Sequence, residues 1–274
     1  MRQFEVSRLL DTSTVSVRNV VCRGSCRHRS AEECTSVTHF VYPYRGVYLR
    51  HVGSDQAVAD ANHVLLFNPG EGYRVSHPLS GDDSSLDVSL SEDLVREIAP
   101  VDQLKHGGER GLRQQHMRID ARAQALVALL RHTLQNGAIE ALEAESVALN
   151  LVRRSLGPRT AHEPRATAAR RKLVDRVKLL LASDLSHRWS LAEIAAEIGG
   201  SAVYLTQVFQ KVEGLPLYRY HLRLRLARAL HLLADREDLT DVALSVGFSS
   251  HSHFTAAFRQ AYGRSPSAFK KASG

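Results

Sequence analysis

Three cysteines near the start of the sequence offer chemistry that few other residue types supply. Cys22, Cys26 and Cys34 fall within thirteen residues, and the chain contains no other cysteine. Thiolates this close together can hold zinc or copper, or can act as a redox or electrophile sensor. Three histidines could provide a fourth ligand: His28, His39 and His77. We predict one metal-binding or thiol-sensing cluster here, with zinc as the possible metal and no cofactor required. The alternative is that the three cysteines are reduced thiols that bind nothing, and it stays open because their spacing is not that of a standard zinc finger.

A second group of chemically informative residues lies in the C-terminal third, where one pattern occurs twice. Over residues 190–209 and again over 239–258, a short amphipathic segment is followed by Gly, a polar turn and a second helical segment. The Gly suits the left-handed backbone that ends a helix, and a Ser after it can cap the next helix. The repeat predicts two helix-turn-helix units, and in such units the second helix enters the major groove of DNA with its N-terminal part.

The outward positions of the two second helices predict which side chains read bases. Gln207 can pair bidentately with adenine, His251 can donate to guanine, and Val203 can pack on a thymine methyl group. Neither outward set contains Arg, so part of the readout is expected to come from DNA shape. The complete outward sets are Ala202, Val203, Thr206, Gln207, His251, Ser252, Thr255 and Ala256. Four arginines are better placed for phosphates: Arg219, Arg223, Arg259 and Arg264.

The charge distribution agrees with a nucleic-acid partner. The chain has 274 residues and a formal net charge of +7. From Ala161 to the end, 17 Lys and Arg accompany 10 Asp and Glu, which accounts for the whole net charge, whereas the preceding residues balance. Positive charge confined to a helix-turn-helix region is expected where phosphates are bound and counterions are released.

Apolar periodicity predicts how the reading helices are held. The residues from Leu217 to Ala234 keep an unbroken helical pattern, which corresponds to a rod of roughly 27 Å. A rod of that length could hold two reading helices about one DNA turn, roughly 34 Å, apart. Each unit should have its own small core at helical spacing. The predicted core residues are Ile194, Ala195, Ile198, Leu205, Val208, Phe209, Val242, Ala243, Val246, Phe254 and Phe258.

Residues 170–271 resemble the DNA-binding domain of the AraC/XylS family of bacterial transcription regulators. The spacing agrees without a gap at, among others, Ile194-Ala195, Gly199, Arg225-Leu226, Gly247-Phe248, Tyr262-Gly263, Ser265-Pro266 and Phe269. The resemblance implies a transcription regulator, with activator as the expectation and repressor left open by the sequence, and it points to the same base-reading positions. The partners that we expect are double-stranded DNA, a second copy of the chain in a homodimer, and RNA polymerase.

The N-terminal part has a different pattern, in which short segments alternate apolar and polar residues. Turn signals separate them at Pro43, Gly53, 68–70 and 81–83, so a small β-barrel or double sheet is predicted. Through Arg45-Gly46-Val47 and 67–70, this part resembles the cupin-like sensor domain of such regulators. The predicted fold class is therefore α+β with two domains, a cupin-like β-barrel with flanking helices and an all-α tandem helix-turn-helix domain.

A cupin-like barrel also raises the alternative of a metal-dependent cupin enzyme. Such enzymes usually need two His one residue apart, then a Glu, and a third His on a later strand. His51 is followed by Val52 and Gly53, and His77 lacks these partners. We therefore predict that the chain is not an enzyme.

Two helices are predicted between the halves, over 120–135 and 139–155. The resemblance implies that they pack on the barrel and supply a dimer interface, although they could simply cover the barrel. Gly157 and two prolines then indicate a linker. The predicted domains are a sensor at 1–115, a helical dimerisation segment at 116–157, a linker at 158–169 and a DNA-binding domain at 170–274.

The function that follows is a DNA-binding regulator controlled by an unidentified effector in the N-terminal domain. The effector would be a small molecule, a metal or a thiol-reactive signal. Its binding would change how the two DNA-binding modules are presented to paired half-sites on DNA. A constitutive DNA-binding dimer with a purely structural barrel stays open as the alternative. Since the sequence has neither an apolar run near the ~20 residues of a membrane helix nor the core of a signal peptide, we expect a cytoplasmic protein without a membrane partner.

Overall fold

The computed structural model describes residues 4–23, 27–79, 82–107, 109–157, 166–235 and 238–273. The chain divides into two compact units, Met1–Ala161 with Lys270–Gly274, and His162–Phe269. The first unit contains all the described strands and the second is helical. This confirms the predicted α+β class with two domains. The domain boundaries stay a prediction, and most of the predicted linker, residues 158–165, lies outside the described residues.

The strands of the first unit form two sheets. They are β1 (Phe4–Asp11), β2 (Val15–Cys22), β3 (Thr38–Arg45), β4 (Tyr48–Val52), β5 (Asp55–Ala59), β6 (His63–Phe67), β7 (Arg74–Ser76), β8 (Asp83–Leu90) and β9 (His116–Arg118). The larger sheet has the order β1-β2-β8-β3-β6-β9, and the smaller has the order β5-β4-β7. Both sheets are antiparallel throughout.

The prediction of a closed β-barrel is wrong. Among the described strands, β1 and β9 each pair with one neighbour and form the open edges of the larger sheet, and no ladder connects that sheet to the smaller one. Alternating sequence predicts where strands occur and which side chains share a face, but it does not determine which edges meet. The cupin-like character of the domain stays a prediction.

One face of the larger sheet carries the main apolar core. Val17 and Val88 are register partners on β2 and β8, and both are fully buried. Two predicted helices, observed as α2 (Ala121–Gln135) and α3 (Ala141–Ser155), contribute to the same core. The Asp120 side chain caps α2 and accepts a hydrogen bond of 2.8 Å from Arg154 Nε on α3. The two helices are therefore held to each other and to the sheet. A further helix, α1 (Glu92–Ile98), follows β8.

The other face of the larger sheet is polar at one end and meets the smaller sheet. Leu65 and Phe67 of β6 form a second core cluster with Tyr48 and Val75, which belong to the smaller sheet. The side chains of Cys22 and Asp83 lie on this face, since they are register partners across β2 and β8. We call the region enclosed by these two faces the inter-sheet region.

Seven helices follow residue 165 within the described part of the chain: α4 (Ala168–Ser183), α5 (Leu191–Ile198), α6 (Ala202–Glu213), α7 (Leu217–Asp235), α8 (Leu239–Ser245), α9 (His251–Tyr262) and α10 (Pro266–Ser273). All belong to the second unit except the last residues of α10. The α5–α6 and α8–α9 pairs are the two predicted helix-turn-helix units. Ser190 forms a capping box with Glu193 at the start of α5. Ser201 caps α6 and Ser250 caps α9. The serine and glycine signals in the sequence thus set the helix boundaries.

The connecting helix α7 has 19 residues, which corresponds to about 28 Å at the usual rise. It begins at the predicted residue and ends one residue later than predicted. None of the helices within the described part of the chain is apolar and long enough to span a bilayer.

Candidate functional sites

The N-terminal half of α6 presents the first predicted reading surface. Val203 is 65% exposed and Gln207 is exposed, whereas Ala202 and Thr206 are half-buried. Leu205, Val208 and Phe209 are buried on the opposite side. The Thr206 hydroxyl donates to the Val203 carbonyl at 2.9 Å, so its oxygen stays able to accept. Val203 and Gln207 are therefore the most accessible of the four predicted positions on α6.

The N-terminal half of α9 presents the second surface. His251, Ser252 and Ala256 are exposed, and Thr255 is half-buried. Thr255 Oγ1 lies 3.5 Å from His251 Nε2, one turn away on the same helix. This contact favours one orientation of the imidazole. The buried side of α9 carries Phe254 and Phe258.

The structure adds Tyr204 to the first predicted reading surface, a residue that is not among the positions predicted from the sequence. Its side chain is 47% exposed near the start of α6. Tyr204 lies three residues before Gln207, and such pairs are neighbours on a helix surface. The sequence signal that could have identified Tyr204 is its position directly before Leu205, a predicted core residue, because adjacent residues on a helix point in different directions.

The predicted phosphate-binding arginines differ in exposure. Arg219, Arg259 and Arg264 are exposed, whereas Arg223 is half-buried. Arg219 Nε donates to the Tyr218 hydroxyl at 3.0 Å. Phosphate contacts are therefore most accessible to the first three.

Two further arginines hold the turns between helices. Arg225 Nε on α7 donates to the Val246 carbonyl at 2.5 Å, and its guanidinium lies 4.3 Å from the centre of the Phe248 ring. Arg176 Nη2 on α4 donates to the Ile198 carbonyl at 2.9 Å. Both acceptors lie at the end of the first helix of a unit, just before a glycine with positive φ. These arginines therefore position the reading helices without belonging to the reading surfaces.

The inter-sheet region contains a buried arginine. The Arg50 side chain is 1% exposed, its Nη1 donates to the Gln115 carbonyl at 2.9 Å, and its guanidinium lies 4.2 Å from the centre of the Phe67 ring. Glu71 lies 3.7 Å from Nη2 and is also 3.5 Å from Lys105. Within the described residues, Nε and Nη2 make no hydrogen bond. Burial lowers the pKa of Arg50 to about 10, so it stays charged at neutral pH.

A second polar cluster in this region involves His39. Its Nδ1 lies 2.8 Å from Asp87 Oδ1, and Arg18 Nη2 lies 3.0 Å from Asp87 Oδ2. His39 is therefore committed to a carboxylate, although it was predicted as a possible partner of the cysteines.

The structure separates the predicted cysteine cluster into different environments. Cys22 is buried and Cys34 is exposed, both as reduced thiols, while Cys26 lies outside the described residues. His28 is exposed. The ligand atoms of Cys22, His77 and Asp83 lie within 4.8 Å of one another. Of the three suggested histidines, His77 is thus the one placed beside Cys22, whereas the three-cysteine cluster stays a prediction.

Comparison with known proteins identifies the class. A family model described as a helix-turn-helix domain matches residues 194–272. The "Probable transcriptional regulator LumQ" of Photobacterium leiognathi is 28% identical over 86% of this chain and 92% of that protein. The "HTH-type transcriptional activator AarP" of Providencia stuartii is 30% identical over 36% of this chain and 73% of that protein. A crystal structure of an AraC-type regulator from Chromobacterium violaceum is 26% identical over 39% of this chain and 97% of that chain, with a TM-score of 0.37.

Two helix-turn-helix units in one helical domain, together with these relatives, define a transcriptional regulator with a DNA-binding domain. The chain belongs to the AraC family of transcriptional regulators.

Proposed function

We propose that α6 and α9 enter two successive major-groove segments of double-stranded DNA, with α7 setting their separation. The observation that carries this proposal is the pair of exposed faces at the N-terminal halves of α6 and α9, centred on Gln207 and His251. The length of α7, about 28 Å, is compatible with the roughly 34 Å between successive grooves. The three exposed arginines would bind phosphates on either side.

In this proposal the protein is a cytoplasmic homodimer that activates transcription together with RNA polymerase. The α2–α3 pair would supply the dimer interface. Leu142 on α3 is 76% exposed. An exposed leucine on this helix supports an interface with a second copy that would cover it. Catalysis is not part of the proposed function.

The inter-sheet region would bind the effector. Arg50 supports this because its buried guanidinium retains two hydrogen-bonding atoms that the described residues do not satisfy. One carboxylate, Glu71, is shared between Arg50 and Lys105, so the local charge favours an effector with an anionic group. Binding there would alter the presentation of the DNA-binding domain.

Replacing Gln207 or His251 with Ala should relax specificity at one or two base pairs, at a cost of about 1–3 kcal/mol for a bidentate contact. Arg259→Ala should instead weaken binding to all sequences and reduce the salt slope by about 1. The measurement is equilibrium binding of the full chain to its operator, found by genome-wide mapping, and to single-base-pair variants at several salt concentrations.

Gln260→Ala is the matched control, because Gln260 is also exposed but lies at the C-terminal end of α9. It should leave specificity unchanged. Uniform loss of affinity in Gln207→Ala and His251→Ala would show that the base-reading positions are wrongly assigned.

Effector control is tested by mapping bound DNA with and without candidate anionic effectors. An effector should change occupancy of the operator in the native chain, and Arg50→Met should keep DNA binding but lose the response. A constitutive regulator, the alternative function, would show the same occupancy under all conditions.

A further inference from the structure

Three side chains that commonly bind metals converge at one edge of the inter-sheet region. Cys22 and Asp83 are cross-strand register partners on β2 and β8, and His77 directly follows β7 of the smaller sheet. All three residues are buried, and their ligand atoms lie within 4.8 Å of one another. The sheet register itself therefore brings a thiol and a carboxylate together, and the second sheet adds an imidazole.

The hydrogen bonding at this place is incomplete within the described residues. His77 Nε2 lies 2.9 Å from Asp83 Oδ2, yet the two do not have the orientation of a hydrogen bond, since Asp83 Oδ2 is unsatisfied. His77 Nδ1 is likewise buried without a hydrogen bond, and the His77 side chain is 3% exposed. Leaving such groups unsatisfied costs about 1–3 kcal/mol each. A cation bound between them would remove part of this cost.

We propose that Cys22, His77 and Asp83 bind one zinc ion. Zinc accepts thiolate, imidazole and carboxylate ligands together. The carboxylate disfavours copper(I), and the thiolate disfavours magnesium and calcium. A cysteine thiolate and an aspartate carboxylate carry two negative charges, which a divalent cation neutralises, so the loaded site is neutral in its buried surroundings. Three protein ligands leave the fourth tetrahedral position to water or an exogenous ligand.

The ion would connect the two sheets. Cys22 and Asp83 belong to the larger sheet and His77 follows a strand of the smaller one, while the described residues of the two sheets share no ladder. Zinc would therefore fix the spacing of the faces that enclose Arg50. This inference holds whether or not α6 and α9 read DNA as proposed, because it concerns only the first unit.

The test uses the full chain, purified under reducing conditions and stripped with a chelator. Cobalt(II) serves as the spectroscopic probe, and one equivalent should produce a thiolate-to-cobalt absorption band that zinc then abolishes. Zinc should also raise the midpoint of thermal unfolding. Absence of metal binding by the native chain, or cobalt binding without a thiolate band, overturns the proposal.

Variants locate the site. C22S, H77Q and D83N should each weaken cobalt binding by more than the roughly 10–100-fold that loss of an outer-shell partner costs, and C22S should also remove the thiolate band. C34S is the matched control, because Cys34 is an exposed thiol, and its cobalt affinity and spectrum should equal those of the native chain. If C34S removes the band and C22S retains it, the site is not the one proposed.

Discussion

Replacing Lys178 with Ala is expected to lower the free energy of unfolding of the helical unit by about 3–5 kcal/mol. Lys178 on α4 lies 2.5 Å from Glu213 at the end of α6, and the two side chains are only 4% and 6% exposed. The substitution would remove the ammonium group that faces the buried Glu213 carboxylate. Removing one partner of a buried ion pair costs far more free energy than the intact pair contributes relative to apolar side chains. Since a domain is typically stable by only about 5–15 kcal/mol, this loss is a large fraction of the total.

The measurement is urea unfolding of the full chain followed by tryptophan fluorescence. Trp189 is the single tryptophan and lies in the helical unit, so its signal reports on that unit alone. Lys211→Ala, an exposed lysine on α6, is the control and should have little effect. The double variant Lys178→Met with Glu213→Leu should be much less destabilised than Lys178→Ala. Equal losses in the two would show that packing, and not the unpaired charge, is responsible.

Gly247→Ala should destabilise the helical unit more than Gly263→Ala, although both glycines end helices of the second helix-turn-helix unit. Both have φ near +80°, and Gly263 lies in the left-handed region, where an alanine costs about 1–2 kcal/mol. A Cβ at Gly247 would lie 2.4 Å from the Ser186 carbonyl oxygen, whereas one at Gly263 would meet nothing within 4 Å. The clash is with backbone, so we expect a further loss of about 1–3 kcal/mol at Gly247.

The same urea titration measures both variants, and Gly263→Ala acts as the internal control for backbone strain. A second readout is affinity for the operator, which should fall more in Gly247→Ala because the displaced turn carries α9. Equal stability of the two variants would mean that the segment around Ser186 moves aside without cost.

The helical unit could be predicted from sequence because its helices are determined by residues that lie close together in the sequence. Spacings of three and four residues in 194–209 and 242–258 determine which side chains are buried, and the cap residues lie within a few positions of the helices that they end. The reading faces follow from the same periodicity. The role of Arg225 does not, because its acceptor, the Val246 carbonyl, lies on another helix.

The first unit was predicted less completely because the contacts that determine its sheets join residues far apart in the sequence. Strand β2 alternates between buried and half-buried residues from Val15 to Val20, yet neither it nor its partner β1 was predicted. The closeness of Cys22 to Asp83 depends on the register between β2 and β8, and that of His77 on the second sheet. Nearness of Cys22 and Cys34 along the chain was a weaker guide, since one thiol is buried and the other exposed.

The two arginine-to-carbonyl contacts have a consequence for how the protein would leave DNA in the proposed complex. Arg176 holds the turn of the first unit from α4, and Arg225 holds that of the second from α7, so each reading helix has its own attachment. Loss of one attachment would free one reading helix while the other stays engaged. Dissociation would then proceed in two stages, and a half-bound protein could re-engage before it diffuses away, which lengthens its residence on the operator.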